Sequence, residues 1–125
     1  NAGLIRDAIA GLPIEMRKIP EKSFETSDAL VFFVKDNKTA RDCRDALLKM
    51  GLGTKILPEA IKWHFAGTWD HMPELINRNG DVLIHAFPQS LELLNRAVSI
   101  PISINMPANF SQEIKTSVDS AITEQ

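Results

Sequence analysis

The sequence predicts an α+β sandwich in which a short antiparallel or mixed sheet is covered by helices, and three features carry that expectation. Apolar runs rich in β-branched and aromatic residues are of strand length and number only three or four. Between them lie stretches whose apolar residues recur at the helical period. No Gly-rich strand-to-helix turn of the kind that opens a doubly wound parallel sheet occurs. At 125 residues the chain is long enough for one core and too short for two.

Leu4, Ile5, Ile9 and Leu12 recur at helical spacing, and Gly11-Leu12-Pro13 stops this helix because proline disfavours the helical conformation in the residue before it. The chain starts at Asn1 and enters Gly3 to Ala10 as if already inside the helix, so a preceding stretch of polypeptide is expected. Residues 14–19 mix apolar and charged positions, with Ile14 and Met16 on one side, as in a half-solvated strand ended by Pro20. Ala29 to Val34 is apolar on both faces and is the best candidate for a central strand. Asn37 or Thr39 caps the next helix, whose Ala40, Cys43, Leu47 and Met50 form an inward stripe. Arg41, Asp42, Arg44, Asp45 and Lys49 take its solvated face with helical ion pairs, and Gly51 fits its C-terminal cap.

Leu52 to Leu57 offers a brief strand ended by Pro58, residues 60–75 are irregular or partly helical, and Asn79-Gly80 marks a turn. Pro88 opens a helix through Arg96, with Leu91 and Leu94 inward and Phe87 stapling its start. Val98, Ile100, Ile102 and Ile104 alternate with Ser99, Pro101, Ser103 and Asn105. Because Pro101 cannot donate to a ladder, an edge strand is expected. A capping box from Asn109 to Gln112 opens the last helix, with Ile114, Val118 and Ile122 on one face.

A net charge of -2 and the lack of a Lys/Arg run leave nothing to track a phosphate backbone, so no nucleic-acid partner is expected. The longest apolar stretches, such as Ala29 to Val34, fall far short of the roughly 20 residues that cross a bilayer, so no membrane partner is expected either. A single cysteine excludes an internal disulfide and a multi-cysteine zinc site, and it suits a reducing, cytoplasmic setting. Cys43 itself, on the apolar stripe, reads as a buried, inert thiol.

Recognition-type side chains concentrate between Ile61 and Pro73, where both tryptophans and two of the three histidines fall. Aromatic faces beside imidazoles can stack on a planar ring or cover a sugar, with histidine supplying a hydrogen bond or a proton. Trp63, Phe65 and Trp69 read more readily still as core or domain-interface anchors. The candidate substrate-binding residues are Trp63, His64, Trp69 and His71. His64 and His71 lack the i, i+4 spacing of a helical zinc pair, so no metal is expected, and His85 reads as a surface or structural histidine. Ser99 and Ser103 have no nearby base or glycine elbow, so no catalytic residue is expected in this chain.

Two segments in fixed order resemble the C-terminal third of DegT/StrS-type nucleotide-sugar aminotransferases. Arg41 to Thr54 is similar to that family's helix leading into a Gly-Ile-Gly-Thr strand, with Leu52 in place of isoleucine. Phe87 to Ile102 is similar to its Leu-Pro, helix, Arg, Ser-Leu-Pro-Leu stretch, with Phe87, Ile100 and Ile102 as conservative departures. Met106 and the helix from Asn109 follow in the family's order, and with the Asp28 to Val34 strand included the resemblance covers nearly the whole chain.

The resemblance implies that residues 1–125 form the C-terminal small domain of a fold-type I enzyme. The large domain that holds pyridoxal phosphate on a lysine would then lie in preceding polypeptide, and this chain alone would be inactive. It implies a cytoplasmic, homodimeric parent that moves an amino group from an amino-acid donor to a keto sugar, in aminosugar or cell-surface polysaccharide biosynthesis. In the family, the loop after the Gly-Ile-Gly-Thr strand approaches the substrate and often carries histidine. Here Lys55 to His71 fill that place, longer and richer in tryptophan than the usual His-Phe or His-Tyr pattern, which puts Trp63, His64, Trp69 and His71 on the sugar side of the cleft. Two other readings stand beside it: a pyridoxal-phosphate-dependent keto-sugar dehydratase of the same family, and an independent α+β module that binds a small metabolite or a protein.

Overall fold

The computed structural model describes residues 1–21, 23–79 and 82–123. The chain runs through α1 (Ala2–Ile9), β1 (Glu15–Met16), β2 (Ala29–Phe33), α2 (Asn37–Lys49) and β3 (Lys55–Ile56). An excursion of short helical turns follows, including α3 (Ile61–His64), α4 (Pro73–Asn79) and α5 (Pro88–Leu94), before β4 (Ala97–Pro101) and α6 (Phe110–Thr123). The strands form one antiparallel sheet in the order β1-β2-β4-β3, and the α+β class read from the sequence is the class observed.

Alternation along the strands sorts their side chains onto two unlike faces. Leu30 and Phe32 of β2, Val34 just beyond it, Val98 and Ile100 of β4, and Ile56 of β3 are all buried. They pack on Ile5 and Ile9 of α1, Ala40, Cys43 and Leu47 of α2, and Ile114 and Val118 of α6. Helix α6 touches both α1 and α2, so three helices close this face as one layer. Among the described residues no helix is long and apolar enough to cross a membrane.

The expectation of an edge strand at residues 98–104 is overturned: β4 lies inside the sheet, paired with β2 on one side and β3 on the other. Hydrogen-bond parity explains why Pro101 is tolerated there. The Ile102 N–H donates to the Asp28 carbonyl at 2.9 Å and the Val34 N–H to the Arg96 carbonyl at 3.0 Å, so even-numbered residues of β4 face β2 with their polar groups. The Pro101 nitrogen therefore faces β3, whose pairing stops at Lys55 with Ser99, two residues short of the proline. The missing donor falls beyond the last rung. The alternation also ends early, since Ile104 is 95% exposed.

Several ends differ from the sequence expectations for local reasons. Both short strands shrink to two residues, because β1 has only β2 to pair with and the chain leaves the ladder at Leu57-Pro58 after β3. Leu4 of α1 points outward, 58% exposed, while Ile5 and Ile9 carry the inner stripe. The cap of α2 is Asp36 rather than Asn37 or Thr39: its carboxylate accepts from the Thr39 backbone N–H and hydroxyl, both at 2.8 Å. Of the charges on α2, Lys38 and Asp42 form a helical pair, but Arg41 and Arg44 reach across to Glu59 after β3. Helix α5 stops at Leu94 rather than Arg96. In place of the Asn109–Gln112 box, the Gln112 N–H donates to the Asn109 main-chain carbonyl at 3.1 Å and the Asn109 side-chain amide donates to the Glu113 carboxylate. The Asn79-Gly80 turn falls partly outside the described residues, Asn79 being the last residue of α4.

The C-terminus of α2 follows the expectation closely. Gly51 has a φ of 88°, where a side chain would be strained. Its N–H donates to the Leu48 carbonyl and the Leu52 N–H to the Leu47 carbonyl, a Schellman closure with Leu52 packed against the core.

Two predictions follow from this layer. Asp36→Ala should cost about 1 kcal/mol at neutral pH, the usual loss of an N-cap. The Thr39 bonds hold the Asp36 carboxyl below its ordinary range. That contribution is therefore complete above the unfolded carboxylate pKa and lost as pH falls through the native one, so urea unfolding of wild type and variant should converge in acid. Cys43 is fully buried and its thiol is pushed up to about 12 by desolvation. An aromatic disulfide reagent at mildly alkaline pH should therefore label it only as fast as the domain opens, and at once in denaturant.

Candidate functional site

The second face of the sheet carries Val31 and Phe33 of β2, both half-buried, with Arg17 extending β1 by one hydrogen bond from its N–H to the Val31 carbonyl. Helices do not cover this face as they do the other. Part of it is roofed by the excursion between β3 and β4, and a groove of about 490 Å³ remains between them.

One wall is built from residues 57–69. Pro58 opens a 3₁₀ turn, α3 follows, and the Phe65 N–H closes back on the Ile61 carbonyl. Thr68 then folds the chain sharply, its hydroxyl donating to the carbonyls of Lys62 and Phe65. The second wall is α5, with Leu93 and Leu94 toward the groove and Phe87 at its N-terminal end. Phe65, only 1% exposed, joins the walls by an edge-to-face contact with Phe87, ring centroids 6.4 Å apart at 88°. This contact requires Gly67. A Cβ there would stand 2.2 Å from Phe65 Cε1 and 3.0 Å from the Ile84 Cα, so the ring occupies the space a side chain would need.

Ion pairs tie the groove to the rest of the domain. Arg17 and Arg6 of α1 both bind Glu25, at 3.0 and 2.8 Å, and the Arg6 bond leads in holding the Glu25 carboxyl below its ordinary range. Arg96, between α5 and β4, pairs with Glu92 and Glu15 and lies over the Phe33 ring with its guanidinium carbon 5.4 Å from the centroid.

The four residues singled out from the sequence divide into two sets that share Trp69. His64 and Trp69 line the groove. Trp63 and His71 do not; with Trp69, Asp70 and Met72 they line a neighbouring depression of about 450 Å³ on the same segment. Of the aromatics that the sequence favours as anchors, Phe65 is the core residue, Trp69 is half-buried, and Trp63 is 77% exposed. His85 is exposed in a 3₁₀ turn. Among the described residues no group of three or more His, Cys, Asp or Glu side chains comes together to hold a metal ion.

Sequence reasoning missed the floor and the far wall: Arg17, Val31, Phe33, Phe87, Leu93 and Leu94. A signal for part of it exists in β2, whose apolar residues on both faces require something to cover the second one. A further omission is Lys55, whose ammonium lies within hydrogen-bonding reach of His64 Nε2 at the groove's rim. Chemically the groove suits a ligand with an apolar or ring-like body, met by aromatic edges below and by Trp69 and His64 at the opening. No family model matches the chain, and no curated protein matches it significantly.

The close approach at Gly67 yields a test. Gly67→Ala should destabilise the domain by about 1–3 kcal/mol through overpacking. Adding Phe65→Leu should make the pair less damaging than the sum of the single changes, as thermal or urea unfolding of the four proteins will register.

Proposed function

We propose that this chain is the C-terminal small domain of a pyridoxal-phosphate-dependent sugar aminotransferase of the DegT/StrS type, and that its groove is the substrate-facing wall of the cleft. The supporting observation is the difference between the two sheet faces. One is sealed by α1, α2 and α6, while the other keeps an apolar trough with Trp69 and His64 at its rim. A face left open in this way fits a domain that completes its surroundings with a ligand or a second body. The segment from α2 through its Gly51 closure into β3, one of the two that carry the resemblance, also folds as a continuous unit.

Pyridoxal phosphate, when bound, stores the electrons released at the substrate carbon. The groove does not fit it as a holder: its lining is largely apolar, and its arginine, Arg17, is already engaged by Glu25. In the proposed parent the lysine and the phosphate site therefore belong to the preceding polypeptide. This chain's share is to bind, orient and exclude water. The Trp69 ring covers a sugar face, and His64 supplies a hydrogen bond to a hydroxyl. The parent would act in the cytoplasm as a homodimer, with an amino-acid donor and a keto sugar as its substrates.

The coding sequence upstream of Asn1 tests the assignment first. A reading frame with a lysine-bearing cofactor domain is expected; a frame that opens at residue 1 ends the proposal, and histidine at the lysine position turns the chemistry to dehydration. In the polypeptide that carries both domains, His64→Ala and Trp69→Ala should each raise KM for the keto sugar about tenfold, the equivalent of one hydrogen bond or stacking contact. The amino-donor KM should stay unchanged, and unaltered sugar parameters in steady-state kinetics would defeat the site.

A further inference from the structure

We infer that the depression beside the groove is a binding site of its own, which takes a neutral sugar ring against the indoles of Trp63 and Trp69. The Thr68 hydroxyl, bonded to the Lys62 and Phe65 carbonyls, folds residues 68–72 back beside residues 62 and 63, and the Met72 N–H closes a turn on the Trp69 carbonyl. One depression of about 450 Å³ is thereby lined by both tryptophans of the chain together with Lys62, Asp70 and His71. Of these residues only Trp69 also lines the groove.

Three properties select the ligand. Trp63 keeps 77% of its surface in water while Phe65 anchors the segment, so the Trp63 indole is free to cover an apolar face. Lys62, Asp70 and His71 are exposed and form no side-chain hydrogen bond or ion pair among the described residues. They offer an ammonium donor, a carboxylate acceptor and an imidazole that can do either. A sugar ring complements both sets at once, because its C–H face is apolar and each hydroxyl both donates and accepts. Charge then separates the sugar from its rivals: with an ammonium and a carboxylate lining the same depression, an anion or a cation would meet one partner and one like charge. A nucleotide could stack its base on the indoles, but its phosphate is disfavoured on that ground. The site stands on these residues alone, independently of the aminotransferase reading.

Tryptophan and histidine NMR on the 125-residue chain, titrated separately with methyl β-glucoside, methyl β-galactoside and adenosine monophosphate, tests the site. The Trp63 indole N–H and the His71 ring should shift saturably with at least one glycoside in the millimolar range, while His64 in the groove and His85 stay in place. Trp63→Ala should abolish saturation. Asp70→Ala should weaken the apparent affinity about tenfold, the loss of one hydrogen bond to a charged group. Both variants should keep the wild-type backbone amide spectrum outside residues 60–75, and His64→Ala should titrate as wild type. No saturable shift with either glycoside, tighter binding of the nucleotide, a shift of His64 in step with His71, or wild-type titration of the Trp63 variant would overturn the inference. Failure here leaves the keto-sugar kinetics of the His64 and Trp69 variants to be decided separately, and absence of an upstream cofactor domain leaves this site testable.

Discussion

The pairing of β2 with β4, residue for residue from Ala29 with Pro101 to Phe33 with Ala97, is the constraint on which the rest of the structure depends. It brings together two segments far apart in the chain and places Phe32 beside Val98 and Leu30 beside Ile100, all of them buried. These cross-strand pairs are the floor on which three helices find a common surface. Because β3 also pairs with β4, the strand that returns last is inserted between two that formed earlier in the sequence.

That insertion determines where the groove lies. The chain leaves the sheet after Ile56 and re-enters at Ala97, and these two points are close because Ile56 is paired with Val98. The excursion between them is a closed loop whose ends are held by the sheet, and the helix layer already occupies one face. Its remaining course is over the other face, where Phe65, Phe87 and Leu83 give it a small apolar anchor of its own. Two ion-pair clusters hold its ends: Glu59 to Arg41 and Arg44 near the start, and Arg96 to Glu92 and Glu15 near the finish. Each pair is partly exposed and contributes little to stability, so their effect is chiefly on direction.

The division of the tryptophan and histidine segment into two lining sets follows from the tight turn at Gly67 and Thr68. With Phe65 pointing inward, Trp63 is carried to the outside and Trp69 to the boundary, so one stretch of chain serves both depressions. His64 and Trp69 thus lie within the groove, and Trp63 and His71 lie beside it. It also makes Phe65 the aromatic that stabilises the segment, freeing the two tryptophans from that work.

The sequence by itself determined whatever depends on a residue's near neighbours. The α+β class, the inward stripe of Ala40, Cys43 and Leu47, the closure at Gly51, the two-faced strand at Ala29 to Phe33 and the Ile114–Val118 face of the last helix were all legible, because period and backbone chemistry are local properties. His64 and Trp69 drew notice in the sequence because unusual side chains were concentrated there, and both line the groove. The inner position of β4 was decided only by the tertiary structure: the missing donor of Pro101 counts against an inner strand unless its side of the ladder has already ended. The same holds for the groove's floor at Phe33, its far wall at Leu93 and Leu94, and the meeting of Lys55 with His64. These are proximities between segments, and strand order, which no local pattern encodes, is what creates them.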